Sequence, residues 1–474
     1  MLASKPSKQV VIMTSKTDKI RCISVRDIRF PTSLSGDGSD AVHKDPDYSC
    51  AYVILYTTGD LKGHGFTFTI GRGTEVVVAA IKALSSLVVG ERVCDIFDDF
   101  GNFWRKLTND TQLRWIGPEK GVIHLATAAI VNALWDLWSK IERKPLWKLL
   151  VDMEPEQLVS TLDFRYLSDV INKEEAIEML KKMRKTAPER EELIRQKGYP
   201  AYCTHVGWSN YTEPKIRMLC KEALAKGFTK FKCKVGVSVE NDRMRCGIIR
   251  DEIGYENTFM VDANQKWDVQ EAIDWMKQLS EFKPLWIEEP TSPDDILGHK
   301  EISDGLKDLN IGVATGEMCQ NRVMFKQFLK SGAMQFCQID SCRIGGVNEI
   351  LTVYLMAAKL GIPVCPHAGG VGLCELVQHL SIFDFICVTG TTENRMIEYV
   401  DHLHEHFRNP VIIKDANYMP PTAPGYSTEM LESSLADYEY PEGPKWKRLF
   451  SESKFRKPSV PHFVLNSCFP TNKF

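Results

Sequence analysis

The pattern of hydrophobic and polar positions changes once along the chain, and the change predicts two domains. Residues 21–30 alternate as a β-strand does, and residues 52–56 form an apolar run of β-type residues. From residue 75 to residue 88, apolar positions recur at helical spacing. Strands followed by helices indicate an α+β domain in the N-terminal part of the chain.

A long helical region is predicted across residues 121–150, where leucine and tryptophan recur at helical spacing until Pro145 ends the helix. Its middle is rich in alanine. Because small side chains allow a helix to approach its neighbours closely, we expect this helix to pack between two domains.

From about residue 157 onward, short apolar segments alternate with amphipathic helical segments. Eight of the short segments are predicted to be strands: 159–166, 229–235, 259–264, 285–289, 312–317, 336–342, 362–366 and 396–400. The charged stretch 172–197 is predicted to be a solvated helical insertion in the first connection. Eight strands separated by helices are typical of a closed parallel barrel.

These patterns predict an α/β fold: a TIM-like (β/α)7β barrel with an α+β N-terminal capping domain that the C-terminal segment completes. The length of 474 residues suits a barrel of roughly 250 residues plus a second domain. The predicted divisions are an extension at 1–20, expected to be disordered, a capping domain at 21–156, a barrel at 157–405 and a returning segment at 406–474.

Composition and charge exclude several classes of protein. The formal net charge of −3 gives no reason to expect nucleic acid or an anionic membrane as a partner. No run of 18 apolar residues is present, so we predict no transmembrane helix. The 14 cysteines include no C-x-x-C pair, which indicates reduced thiols in an intracellular protein rather than a disulfide scaffold or a zinc ribbon.

Titratable residues lie at the ends of seven successive predicted strands. They are Lys234, Asp262, Glu288, Glu317, Asp340, His367 and Glu398. They recur at about the length of one β/α unit, roughly 30 residues, so each is one strand further round the barrel. The C-terminal ends of barrel strands hold the active site, and we therefore expect these side chains to face one cavity.

Three of these residues predict a metal site. Asp262, Glu288 and Glu317 are carboxylates on consecutive strands, and unpaired carboxylates in one pocket would repel each other. A hard divalent cation removes that cost, and ligation by oxygen alone favours Mg²⁺ over Zn²⁺. We therefore expect Mg²⁺ as the cofactor.

Two lysines two residues apart predict an acid/base group. Lys232 and Lys234 face the same side of their strand, which an apolar setting places inside the barrel. We expect the two ammonium groups to depress each other's pKa, and the cation to add to that effect, so that one of them can act as a base near neutral pH.

Asp340 and His367 lie one predicted strand apart, on the far side from the lysines. A carboxylate beside an imidazole fixes its tautomer and stabilises its protonated form, which predicts a second acid/base group. The glycines at 369–372 are interpreted as room for a substrate beside His367 rather than as a phosphate loop. The histidine-rich stretch 402–406 is interpreted as a surface helix, because positions two apart do not share a helical face.

The motifs K-x-K, D-x-N, E-E-P, G-E, D-x-x-R-x-G-G and H are similar to those of the enolase superfamily, in the mandelate racemase subgroup. They occupy residues 232–234, 262–264, 288–290, 316–317, 340–346 and 367. Over residues 20 to 445 the chain resembles the L-fuconate dehydratases of that superfamily. The stretches that carry this closer resemblance are 29–34, 45–49, 113–122, 288–299 and 365–380.

The resemblance implies a role for each site residue. It implies Asp262, Glu288 and Glu317 as Mg²⁺ ligands, with Lys234 and His367 as acid/base residues and Asp340 as the support of His367. It implies these substrate contacts: Gly38, Ser39, Asp40, Tyr48, Lys232, Asn264, Ala368, Gly369 and Glu398. The loop at 31–48 then becomes a specificity flap. The resemblance also implies a mitochondrial location, with the cytoplasm as the alternative, and, commonly in this family, a homo-oligomer.

The implied activity is dehydration of a small-molecule sugar acid, L-fuconate, to 2-dehydro-3-deoxy-L-fuconate. A racemase or epimerase with the same site, or a non-catalytic regulatory homologue, remains an alternative. A metal-dependent hydrolase is disfavoured, because such barrels carry H-x-H on the first strand and residues 162–164 of the predicted first strand do not.

Overall fold

The structure is a computed structural model that describes residues 18–458. The predicted extension at 1–20 lies almost entirely outside the described residues, as does the end of the predicted C-terminal segment. The strands are β1 Ile20–Arg29, β2 Ser49–Thr57, β3 Lys62–Thr69, β4 Tyr199–Gly207, β5 Lys230–Lys234, β6 Thr258–Asp262, β7 Trp286–Glu288, β8 Gly312–Thr315, β9 Phe336–Cys337, β10 Ile397–Tyr399, β11 Ile413–Lys414 and β12 Asn417–Tyr418.

Helices cover the sheets and connect their strands. They are α1 Thr74–Leu84, α2 Val93–Asp98, α3 Phe100–Thr108, α4 Leu113–Ile116, α5 Gly121–Ile141, α6 Leu146–Asp152, α7 Pro155–Ser160, α8 Lys173–Arg184, α9 Ala187–Lys197, α10 Glu213–Ala225, α11 Val239–Ile253, α12 Val269–Leu279, α13 Ile296–Leu306, α14 Arg322–Ser331, α15 Val347–Lys359, α16 Leu373–Phe383, α17 Glu432–Tyr438 and α18 Pro444–Ser451.

The N-terminal part is an antiparallel sheet of order β1-β2-β3 packed on helix α5. Glycines in β3 permit unusually close contact: a Cβ at Gly65 would lie 2.4 Å from the backbone nitrogen of Ala133 in α5. On its other side, α5 contacts the second domain: the indole nitrogen of Trp135 in α5 donates a hydrogen bond to Asn348 Oδ1 of α15 at 2.8 Å. The prediction that this alanine-rich helix packs between two domains is therefore confirmed.

Helix α5 is also long and apolar enough to cross a membrane by length and composition alone. Almost all of it is buried inside the protein, as a helix in a protein core would be. Its length and composition are therefore weak evidence that this helix spans a membrane.

The second part is a mostly parallel sheet of order β4-β5-β6-β7-β8-β9, with β10 pairing with β4. The strands that were predicted at 229–235, 259–264, 285–289, 312–317 and 396–400 are present. Residues 336–342 form only the short strand β9, and residues 362–366 join it through an isolated bridge between Cys337 and Val364.

The predicted first strand at 159–166 is wrong. Residues 155–160 form helix α7, which begins at Pro155 and buries Leu158 and Val159, and the first strand of the parallel sheet is β4. The β-type residues of this segment are thus buried by a helix, whose first turn tolerates proline. The charged stretch 172–197 is helical as predicted, but its two helices precede the first strand.

Strand β4 was missed because its second residue, Pro200, cannot donate to a ladder and argues against a strand. The structure tolerates Pro200 at the start of the strand, where it lies opposite Asn417 of β12. With β4 as the first strand, the sequence from Cys203 to Gly207 still lacks H-x-H. A metal-dependent hydrolase is therefore disfavoured by the sequence of β4 rather than by residues 162–164.

The chain after residue 405 packs on the N-terminal sheet. Tyr52 of β2 donates to the carbonyl of Thr428 at 3.0 Å and accepts from the amide of Met430 at 2.9 Å. Trp446 of α18 donates to the carbonyl of Arg29 at 3.0 Å. These contacts agree with a returning segment, while the predicted domain boundaries stay predictions.

Two interpretations of individual residue types need correction. Residues His404–His406 form a short 3-10 turn rather than a surface helix, and His404 Nδ1 lies 2.7 Å from Glu375 Oε1. Among residues 18–458, twelve cysteines are free thiols, nearly all of them buried, but Cys22 is disulfide-bonded. The expectation of reduced thiols is therefore wrong at Cys22.

We predict that Trp446→Ala lowers the free energy of unfolding by about 3–5 kcal/mol, because it empties a buried site that holds the C-terminal segment on the N-terminal sheet. Urea denaturation followed by circular dichroism measures this loss. Trp115→Ala is the matched control, since Trp115 is 92% exposed and its removal should cost less than about 0.5 kcal/mol. Equal losses in the two variants would contradict this role.

Candidate active site

Strand register brings the predicted acidic residues together. Lys234, Asp262 and Glu288 are direct neighbours on β5, β6 and β7. The chain then turns sharply out of β8 at Gly316, with φ of +145°, and Glu317 follows. A Cβ at Gly316 would lie 2.8 Å from the carbonyl carbon of Gln338, so this turn requires glycine.

Asp262, Glu288 and Glu317 each offer one carboxylate oxygen, and these oxygens lie within 4.8 Å of one another. Asp262 and Glu288 are buried, while the side chain of Glu317 is 15% exposed. Burial and the charge of Asp262 raise the pKa of Glu288 to about 8, against the opposing effect of Lys232. Three crowded carboxylate donors fit Mg²⁺, which prefers oxygen ligands and relieves this repulsion.

Lys232 is buried beneath the carboxylates. Its Nζ lies 2.6 Å from Glu288 Oε1, 2.8 Å from Glu398 Oε1 and 3.3 Å from Asp262 Oδ2. Burial acts to lower the pKa of Lys232, but the neighbouring carboxylates raise it well above its usual range. The structure therefore places Lys232 as an internal counter-ion, away from the cavity surface where a substrate contact was expected.

Lys234 lies beside Asp262, with Nζ 2.5 Å from Asp262 Oδ2 and 2.8 Å from Asn264 Oδ1. Burial and the charge of Lys232 both act to lower its pKa, but Asp262, Glu317 and other carboxylates raise it well above its usual range. Among the protein's own groups, the attraction of Lys234 to the carboxylates outweighs its repulsion by Lys232, so the predicted depression of its pKa depends on the cation and stays a prediction.

His367 lies at the other flank of the acidic group. Its Nδ1 is 2.8 Å from Asp340 Oδ2, and its Nε2 is 3.6 Å from Glu317 Oε2. Burial acts to lower the pKa of His367, but Glu317, Asp340 and Glu398 together raise it to about 9. This raised pKa favours the imidazolium form of His367, the form that can donate a proton.

Asp340 is itself fixed by the backbone. Its Oδ1 accepts from the amides of Cys342 and Arg343, both at 2.7 Å, which leaves Oδ2 for His367. The orientation of the imidazole is therefore set by a carboxylate that cannot easily turn away.

Small residues follow His367 in the chain and leave space beside its imidazole. A Cβ at Gly369 would lie 3.2 Å from His367 Nε2, so a larger residue would crowd that nitrogen. Ala368 is buried, and its amide donates to Glu398 Oε2 at 2.8 Å. Ala368 thus orients Glu398 rather than lining the cavity.

A cavity of about 320 Å³ lies over the acidic group, between the strands of the parallel sheet and the N-terminal domain. It brings together these predicted site residues: Gly38, Asp40, Tyr48, Lys234, Asn264, Glu317, Asp340, His367, Gly369 and Glu398. Five predicted site residues lie behind these residues and do not line the cavity: Ser39, Lys232, Asp262, Glu288 and Ala368. Ser39 instead donates to the carbonyl of Gly36 at 2.8 Å within its own loop.

Several lining residues were not predicted from the sequence. They include His43, Phe68, Arg72, Leu125, Thr204, Trp208, Met318 and Arg343. Thr204 belongs to β4, the strand that the sequence did not predict. Arg343 is the arginine of the D-x-x-R-x-G-G motif at 340–346, to which the sequence assigned no role. His43 and Arg72 lie in irregular segments, where no periodic pattern points to a cavity.

Comparison with known proteins agrees with this arrangement. Residues 215–434 match the family described as enolase C-terminal domain-like, and residues 37–151 match the mandelate racemase / muconate lactonizing enzyme N-terminal domain. L-galactonate dehydratase of Hypocrea jecorina is 55% identical over 426 residues, which cover 89% of this chain and 94% of that protein.

Two solved structures extend the comparison. The crystal structure of human mitochondrial enolase superfamily member 1 is 60% identical, with a TM-score of 0.91 over 92% of this chain and 99% of that one. L-talarate/galactarate dehydratase of Salmonella typhimurium, solved with Mg and L-lyxarohydroxamate, is 23% identical, with a TM-score of 0.68 over 91% and 95%, and shows the shared fold. The chain belongs to the enolase superfamily and carries both domains of its mandelate racemase / muconate lactonizing enzyme group.

Proposed function

We propose that this chain is a Mg²⁺-dependent hydro-lyase that converts a sugar acid, L-fuconate, to 2-dehydro-3-deoxy-L-fuconate. One observation carries the proposal: a three-carboxylate group has Lys234 at its Asp262 side and the His367–Asp340 pair at its Glu317 side. The similarity to an L-galactonate dehydratase supports the same class of substrate.

Bound by Asp262, Glu288 and Glu317, Mg²⁺ would supply a Lewis acid that polarises the carboxylate of the substrate and eases loss of the adjacent proton. Lys234 removes the proton from C2. It can act as a base only where the charge of Asp262 is shared with a cation, because that charge otherwise holds the ammonium proton.

His367 completes the reaction by donating its proton to the 3-hydroxyl, which leaves as water while the C2–C3 double bond forms. The enol so produced takes up a proton at C3 and becomes the 2-keto-3-deoxy acid. A racemase or epimerase would use the same two groups but return a proton to C2. A non-catalytic homologue would have no need of the paired acid and base.

The wall of the cavity bears on the choice of sugar acid. L-fuconate and L-galactonate differ only at C6, which is a methyl group in the first and a hydroxymethyl group in the second. The N-terminal domain contributes Phe68, Ile70, Val77 and Leu125 to the wall, an apolar surface that suits a methyl group. L-galactonate is the second candidate, since a relative 55% identical bears that activity in its name.

We further propose that the parallel sheet closes as the predicted (β/α)7β barrel. Two observations support closure of the sheet. Strand β10 pairs with β4, and the amide of Glu398 donates a hydrogen bond to the carbonyl of Pro366 at 3.5 Å. A mitochondrial location is supported by the name of the human relative alone. Assembly into a homo-oligomer stays a prediction.

A panel of sugar acids assayed with Mg²⁺ for 2-keto acid formation tests the proposed substrate. We expect kcat/KM for L-fuconate to exceed that for L-galactonate by about 10-fold or more, the usual effect of one group in an apolar pocket. Preference for L-galactonate would favour the second candidate. Absence of 2-keto acid with every sugar acid in the panel would contradict the enzyme proposal.

Replacing the proposed base tests the assignment of Lys234. We expect Lys234→Ala to reduce turnover at least about 1000-fold, since no other group takes the C2 proton, while L-fuconate still binds. Lys230→Ala is the matched control, because Lys230 lies at the opposite end of the same strand and does not line the cavity. Retained dehydration by Lys234→Ala would refute the assignment.

Metal binding can be measured apart from turnover. We expect Glu317→Gln to weaken Mg²⁺ binding by at least about 10-fold in titration calorimetry, because it removes one charged ligand of three. Asp294→Asn is the control, since Asp294 is an exposed acid outside the group. Equal Mg²⁺ affinity in the unchanged protein and Glu317→Gln would exclude Glu317 as a ligand.

A further inference from the structure

The 31–48 loop brings a second carboxylate–imidazole pair to the cavity, formed by Asp40 and His43. His43 Nδ1 lies 3.0 Å from Asp40 Oδ2. The other oxygen of Asp40 accepts from the amides of Val42 and His43, at 2.7 and 2.6 Å. Both oxygens of this buried carboxylate are thus engaged inside the loop, so Asp40 is better suited to hold His43 than to bind a substrate.

His43 is the more accessible member of the pair. Its side chain is 34% exposed, whereas that of Asp40 is 6% exposed. The imidazole lines both the inner cavity and an adjoining outer cleft of about 430 Å³. Within residues 18–458, no hydrogen bond engages its Nε2, which leaves one ring nitrogen for a ligand at the boundary between the two spaces.

The loop that carries the pair is anchored to the end of β4. The amide of Ser209 donates to the carbonyl of Ser39 at 3.0 Å, and the amide of Asn210 donates to Ser39 Oγ at 3.1 Å. Tyr211 also donates to Asp37 Oδ1 at 2.5 Å. Because the anchor residues follow a barrel strand, the position of His43 is fixed relative to the barrel.

His43 is also within electrostatic reach of the reacting groups. Its pKa is raised chiefly by the hydrogen bond to Asp40, with burial opposing, while the charge of Glu317 raises it further and that of Lys234 lowers it. His43 lines the same cavity as Lys234 and His367, so a sugar acid whose C1–C3 end lies at those two groups can extend its remaining carbons toward His43.

We propose that His43 is a specificity-determining residue that hydrogen-bonds the distal hydroxyls, at C4 or C5, of the sugar acid, and that Asp40 is its positioning residue. The inference rests on the proposed function, since it assumes a polyhydroxy acid in the cavity. An imidazole suits a hydroxyl partner in either protonation state, because a hydroxyl both donates and accepts. The proposal assigns to His43 a contact that the sequence had suggested for Asp40.

Two acids separate recognition of the distal end from recognition of the reacting end. L-fuconate has the full chain, whereas glycerate keeps the carboxylate and the 2- and 3-hydroxyls and lacks the rest. Dissociation constants for both acids are measured by titration calorimetry with Mg²⁺ on the full chain. We expect His43→Leu to weaken L-fuconate binding about 10-fold and glycerate binding less than about 2-fold.

Three further variants give the controls. His43→Gln should stay within about 3-fold of the unchanged protein for L-fuconate, since an amide retains donor and acceptor groups. Lys44→Ala, at an exposed position in the same loop, should alter neither constant. Asp40→Ala should weaken L-fuconate binding alone, because it releases the imidazole. A purely structural defect would weaken both acids together.

Equal weakening of the two acids by His43→Leu, or no weakening of either, would overturn the inference. So would an unchanged protein that binds neither acid. If the unchanged protein binds L-fuconate but forms no 2-keto acid, the proposed reaction fails. The ratio of the two dissociation constants still decides the role of His43 in that case.

Discussion

The attraction between buried lysines and buried carboxylates at the ends of the parallel strands organises this active site. Lys232 bridges Glu288 and Glu398, which belong to strands far apart along the chain. Lys234 in turn holds Asp262. Buried charges of one sign are costly unless they are paired, so each lysine permits carboxylates to crowd where a cation can bind.

The two domains divide the work of building the cavity. The parallel sheet supplies the charged side of the cavity, and the N-terminal part supplies an apolar side that includes Phe68 of β3 and Leu125 of α5. Close packing of Gly65 against α5 lets the N-terminal sheet approach, and Trp446 holds the C-terminal segment against it. The shape of the cavity therefore depends on packing contacts that lie far from the reacting groups.

Much of this site was predictable because barrel strands impose a regular spacing. Asp262, Glu288 and Glu317 recur at that spacing, and the structure brings their oxygens within 4.8 Å of one another. The first strand was not predictable, because Pro200 argues against a strand and only the opposing β12 shows why it is tolerated. The pKa of Lys234 could not be predicted from Lys232 alone, because several carboxylates oppose the effect of that neighbour. His43 lay hidden in a loop without periodicity.

In the proposed mechanism, Lys234 and His367 perform different proton transfers from opposite flanks of the acidic group. Incubation of His367→Asn with L-fuconate and Mg²⁺ in D₂O, followed by proton NMR, tests it most directly. The account predicts loss of the C2 proton signal through exchange, with no 2-keto product, because the base remains while the acid is gone. Product formed at the rate of the unchanged protein, or an intact C2 signal, would contradict the account.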